Sequence, residues 1–108
     1  MSPVDASVIQ RKLRLMEERL EALAPIAQLS LEEYRSDLIR RKGAEKLTQE
    51  LINAAIDTNF HVLVQSGQKA PEKAHDSFLA LATIGVFDLA LARVLAQFAG
   101  LRNRLVHE

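Results

Sequence analysis

Leu91-Ala92-Arg93-Val94-Leu95-Ala96-Gln97-Phe98-Ala99-Gly100-Leu101-Arg102-Asn103-Arg104-Leu105-Val106-His107 is the stretch whose reading decides the fold. Leu91, Val94, Leu95, Phe98, Leu101 and Leu105 recur in steps of mostly three and four, the stripe of an amphipathic α-helix. Asp88 stands where an N-cap is expected. Gly100 lies inside the stripe, where glycine weakens a helix by roughly 1 kcal/mol relative to alanine; it is read as a bend that re-aims the last turns of the chain. The stripe leads onto Arg102, Asn103, Arg104 and His107. Arginine grips a phosphate bidentately with a permanent charge, and histidine exchanges a proton near neutrality. Such a pair, with no metal-ligand cluster beside it, can break a phosphodiester through the 2′-hydroxyl that RNA has and DNA lacks.

Working back from that helix, the chain reads as four or five helices with short joints. Ile9, Leu13, Met16, Leu20 and Leu23 form a narrow seam that suits packing on another helix, in the same chain or a second copy. Arg11, Lys12, Arg14, Glu18, Arg19 and Glu21 occupy the opposite face. Pro3 suits a first helical turn and Pro25 ends or kinks the helix. Ser30-Leu31-Glu32-Glu33 is a capping box, opening a long helix from about Leu31 to about Val64. Its stripe runs from Leu31, Tyr34 and Leu38 through Arg41, Glu45 and Thr48 to Ile52, Ala55, Asn59 and Val62. The polar members need partners or water, and Arg41 with Glu45, one turn apart, can pair. Ser66 to Pro71 is a loop, and Pro71 starts a helix through Phe78, Leu81 and Ala82 that Gly85 closes. No period-two alternation persists, so no strand is expected.

Length and composition bound the rest. The 108 residues make one domain with a thin core, for which oligomerisation is a common remedy. With 14 basic and 14 acidic side chains the formal net charge is zero, which argues against coating nucleic acid by bulk charge but leaves room for a local phosphate site. There is no cysteine, which excludes disulfides and thiolate chemistry. No apolar run reaches membrane-spanning length. The opening residues, Met1 to Asp5, lack a basic region followed by an apolar stretch. A cytoplasmic protein without a membrane partner is expected.

Geometry constrains the candidate residues. At about 100° per residue, Asn103 and Arg104 neighbour His107, whereas Arg102 and His107 diverge by roughly 140°. They converge on one phosphate only if the helix unwinds locally or a second subunit supplies half the site. Spacing alone leaves another reading open: cations at a helix C-terminus complement its dipole. The other histidines read as structural or solvated. His61 follows Asp57 by one turn and can contact it, and His75 lies in a polar helix start. No metal spacing emerges among the three, and neither a glycine-rich phosphate loop nor a nucleophile elbow is present.

Gly100-Leu101-Arg102-Asn103-Arg104-Leu105-Val106-His107-Glu108 resembles the signature of HEPN domains, especially the subgroup paired with minimal nucleotidyltransferases in toxin–antitoxin modules. That signature is an arginine, a polar residue, a short spacer and a histidine. Upstream, Glu45-x-x-x-Gln49 and Ala54 to His61 resemble the family's long second helix, and Lys73 to Leu81 its third, so the similarity spans residues 40 to 108. The resemblance implies an all-α antiparallel bundle that dimerises and brings two motifs together in a cleft. It implies metal-independent RNA cleavage leaving a cyclic phosphate, with no cofactor. His107 is then the general base, Arg102 stabilises charge at phosphorus, and Asn103 orients the histidine or the phosphate. Arg104 and Asp57 are support residues. The implied partners are an RNA substrate, a second copy and a nucleotidyltransferase antitoxin. In this subgroup a tyrosine comes after the histidine with one residue between them and is adenylylated by the antitoxin, and a further helix comes after it. The sequence ends at Glu108, ahead of both. A single domain over 1–108, without that last helix, is therefore expected.

Two other functions fit the same residues. A non-catalytic module could bind a partner nucleotidyltransferase or a nucleotide through an Arg/His anion clamp. A purely structural bundle would leave Arg102 and His107 in separate, solvated surroundings.

Overall fold

The computed structural model describes residues 3–107, with side chains from Ala6 onward. Met1, Ser2 and Glu108 lie outside the described residues, and with them the extremes of the chain on which the leader and C-terminal expectations rest. The chain forms five α-helices in order: α1 (Pro3–Ala27), α2 (Leu31–Arg35), α3 (Leu38–Gln65), α4 (Ala74–Thr83) and α5 (Leu89–His107). The all-α bundle is as expected.

α3 is the floor of the molecule, and α1, α4 and α5 all pack against it. α1 runs antiparallel to it, because Lys12 meets Asp57 near one end and Arg19 meets Glu50 nearer the other. α4 and α5 form a helical hairpin on the rest of α3. The core cluster joins Ile52 and Ile56 of α3, Phe78 of α4, and Ala96 and Ala99 of α5, with Leu95 and Leu101 packed against it. Beside it, the buried Asn59 donates from Nδ2 to Ser77 Oγ at 3.0 Å, and Ser77 Oγ donates to the Ala74 carbonyl. This satisfies the polar member of the α3 stripe, as a buried amide requires.

Several joints differ from the sequence reading. The capping box is present: Glu33 N–H donates to Ser30 Oγ at 3.1 Å and Ser30 N–H to Glu33 Oε1 at 3.0 Å. It opens only the five-residue α2. The long helix starts afresh at Leu38, because Asp37 is itself an N-cap, with Oδ1 accepting from Arg40 N–H at 3.0 Å. A second cap inside an apparently continuous stripe splits it. Glu45 bonds Lys42 at 3.3 Å rather than Arg41, and Arg41 Nε is buried without a partner. Thr48 donates to Ala44 O within its own helix at 2.7 Å. α4 begins at Ala74, three residues beyond Pro71. Gly67 and Gly85 take φ of 78° and 83°, the left-handed geometry that closes α3 and α4. Pro25 sits in the last turn of α1, two residues before it stops.

The α1 seam is rotated from its expected setting. Lys12, Met16, Arg19 and Leu23 are half-buried, while Leu13 and Leu20 are exposed. Lys12–Asp57 and Arg19–Glu50 bridge to α3 beside the half-buried Met16 and Leu23, on a face that leaves Leu13 and Leu20 outside. α5 is also turned from its expected setting. Its fully buried residues are Ala92, Ala96 and Ala99, whereas Leu91, Val94 and Phe98 are 45%, 56% and 42% exposed. Small side chains let α5 approach its neighbours closely; of the larger stripe members, Leu95 and Leu101 flank the core while Leu91, Val94 and Phe98 face out.

Candidate active site

α5 begins on Asp88, whose Oδ1 accepts from Leu91 N–H at 2.7 Å, and the helix runs unbroken to His107. Gly100 therefore marks no break in the helix: its φ is not in the left-handed region. A Cβ at Gly100 would meet only Arg104 Nη1, at 3.8 Å. Arg104 thus lies back over the glycine, one turn away, and remains exposed.

Arg102 is half-buried where α5 crosses α3. Its Nε and Nη2 donate to Asn103 Oδ1 at 3.3 and 3.0 Å, and its Nη1 donates to Asn53 Oδ1 of α3 at 3.4 Å. A guanidinium has five N–H donors. With three engaged, one donor on each terminal nitrogen is left for an incoming oxygen. Both acceptors are neutral amides, so the charge on Arg102 is oriented without being cancelled.

The structure thus brings together Arg102, Asn103 and a residue that the sequence reading missed, Asn53. No local spacing could have singled it out, because the contact spans 49 positions. His107 is the exposed last residue of α5. On an unbroken helix the two Cα positions lie roughly 140° apart around the axis, which sets Arg102 and His107 on different faces of α5. Asp57 lies one turn beyond Asn53 on α3, where its carboxylate is 3.7 Å from Lys12 Nζ. It shares a groove between α1 and α3 with Lys12, Arg19, Glu50 and Asn53.

The remaining histidines stand apart from this cluster. His75 is exposed, with Nδ1 3.3 Å from Asp76 Oδ1. His61 is half-buried, with Nε2 3.2 Å from Gln65 Nε2. Among the described residues, no three His, Asp or Glu side chains gather as a metal-binding group, and no helix is long and apolar enough to cross a membrane.

Comparison with known proteins places these features in a family. Residues 16–108 match the family described as ribonuclease HepT-like. A relative from Aphanizomenon flos-aquae (strain 2012/KM1/D3), named tRNA nuclease HepT, is 32% identical over 108 residues, covering all of this chain and 74% of the relative. The HEPN resemblance read from the Arg102–His107 string and the upstream helices is borne out: the chain belongs to the ribonuclease HepT-like family.

Proposed function

We propose that two copies of this chain form a metal-independent endoribonuclease, the toxin of a toxin–antitoxin module, which cuts tRNA in a cleft where Arg102 of one copy meets His107 of the other. The observation that carries the reading is the setting of α5. Its Arg102 is held by two neutral amide oxygens with its charge available, while the same unbroken helix turns His107 away. Family membership supports ribonuclease chemistry, and the name of the relative supports tRNA as the substrate class.

The outward face of α5 supports the second copy. Leu91, Val94 and Phe98 lie on one stripe beside Arg102, and a two-fold contact there would set Arg102 at the rim of the interface. His107 is carried on the far side of α5, roughly 180° from Phe98, so it would reach the partner's Arg102 around the end of the helix. Two copies of Arg102 and Arg104 would then place four cations near one cleft, focusing phosphate without changing the zero net charge.

In this mechanism the neutral His107 imidazole removes the 2′-hydroxyl proton. The 2′-oxygen attacks phosphorus and the bond to the 5′-oxygen breaks. That oxygen leaves with its electron pair and takes a proton from the imidazolium or from water. The products are a 2′,3′-cyclic phosphate and a 5′-hydroxyl. Arg102 stabilises the charge that develops on the non-bridging oxygens, where a preorganised donor lowers the barrier most. Asn103 holds the guanidinium fork. A nucleotidyltransferase antitoxin is the proposed neutralising partner.

The test is cleavage of tRNA in EDTA by the wild type, R102A and H107A, with folding checked by circular dichroism. The wild type yields cyclic-phosphate ends, and each variant loses cleavage by about 100-fold or more. A clean digest by H107A at the wild-type rate would overturn the mechanism.

A further inference from the structure

One stripe of α3 faces α1 and α5 with Glu50, Asn53 and Asp57, in steps of three and four. Each takes a cation from another helix. Glu50 Oε1 is 3.4 Å from Arg19 Nε, Asp57 Oδ2 is 3.7 Å from Lys12 Nζ, and Asn53 Oδ1 is 3.4 Å from Arg102 Nη1. The two outer positions are carboxylates and face the cations of α1. The middle position, which faces the arginine of the HEPN motif, is a neutral amide.

We propose that Asn53 is a positioning residue for Arg102: its carboxamide oxygen holds the guanidinium against α3 while leaving the positive charge available for a phosphate. This rests on the proposed action of Arg102 on RNA. A carboxylate at position 53 would make a third interhelical ion pair and compete with the phosphate for the same donors. An apolar residue would leave Nη1 untethered, with only the adjacent Asn103 to orient the fork. A contact of 3.4 Å is at the long end for a hydrogen bond, which suits a tether that shifts when substrate arrives. The same logic accounts for the exposure of Asn103: it holds the other edge of the fork and is also neutral. The guanidinium is therefore aimed from two sides without meeting a negative charge.

The experiment compares N53A and N53D with the wild type in three measurements. Thermal melting reports folding, kcat and KM on bulk tRNA report cleavage, and bulk tRNA affinity in the H107A background reports binding without turnover. N53D is expected to melt no lower than the wild type, yet to bind tRNA about tenfold more weakly and to lose about 100-fold in kcat/KM. N53A is expected to lose about tenfold, mainly in kcat, because a misaimed guanidinium costs transition-state stabilisation more than binding. The decisive comparison adds R102A. If Asn53 acts through Arg102, N53D changes tRNA affinity less than twofold once Arg102 is gone. An equal tenfold loss in the R102A background would mean that the new carboxylate simply repels phosphate, and would overturn the inference. So would N53A and N53D that cleave and bind within twofold of the wild type. If R102A instead cleaves like the wild type, the catalytic reading fails, while the binding comparison still decides whether Asn53 acts through Arg102.

Discussion

Asn59 and Asn53 lie on one helix, six residues apart and on different faces, and do different jobs. Asn59 is buried and fastens α3 to α4 by donating to Ser77 Oγ. Replacing it with alanine removes that bond and leaves a small void. Asn59→Ala should cost about 1–3 kcal/mol in urea unfolding, and a loss below about 0.5 kcal/mol would show the pair to be incidental. Arg102 and Asn103, which the fold brings together, are legible in the sequence because they are adjacent and their chemistry is distinctive; Arg104 and His107 remain candidates on the same grounds. Asn53 is not legible, because a lone amide on a helix carries no signal and its partner comes from a distant element. The expected Arg41–Glu45 pairing fails for a related reason. Spacing admits several partners on a helix surface, and the exposed Lys42 takes the carboxylate.

At the scale of elements, the helices, most of their ends and the inward faces of α3 and α4 can be read from the sequence, but those of α1 and α5 only in part. Asp88, Gly85 and the Ser30 capping box act as their chemistry predicts. The break at Ser36–Asp37 is hidden because the apolar stripe continues in phase across it. The α1 and α5 stripes read as core because leucine is large and apolar. In the fold, alanines fill the closest approach of α5, and Lys12 and Arg19 share the α1–α3 contact with Met16 and Leu23, while Leu13, Leu20 and Leu91 face outward. Two predictions belong here. Gly100→Ala adds a methyl group in ordinary contact with Arg104 within an unbroken helix, so it should stabilise the protein by about 0.5–1 kcal/mol. A destabilisation would restore the bend expected from the sequence. The second concerns Glu33, whose carboxyl is held below the usual glutamate range. The causes are chiefly the Ser30 backbone N–H, then the Ser30 side chain, opposed by desolvation, with the smallest contribution from the Arg40 charge. A carboxyl with a depressed folded-state pKa stabilises above its unfolded value, and that contribution disappears as pH falls through the folded value. The α2 cap should therefore be intact at neutral pH and open on acidification, with the Glu33 side-chain carbon titrating by NMR below an ordinary glutamate. Titration at or above the ordinary glutamate value would contradict the capping geometry.

Taken whole, the molecule is more open than its mass requires. Its accessible surface is 7302 Å², against about 6,000 Å² for a compact monomer of this size. Its radius of gyration is 15.4 Å, against about 13 Å for a compact chain of this length. The excess surface includes the outward apolar stripe of α5, which is next to Arg102. If this stripe carries the proposed contact between copies, placing aspartates at Val94 and Phe98 should leave the helical circular dichroism intact, abolish self-association by sedimentation, and reduce cleavage about 100-fold or more. A monomer that retains full activity would separate association from catalysis.

The central claim, that each catalytic centre takes Arg102 from one copy and His107 from the other, is tested most directly by mixing two inactive chains. R102A and H107A are refolded or co-expressed together and assayed on tRNA in EDTA. In a shared centre, one of the two sites in each mixed dimer carries both native residues, so activity should return to about a quarter of the wild type after random pairing. A mixture as inactive as either variant alone, with mixed dimers demonstrated, would contradict the account.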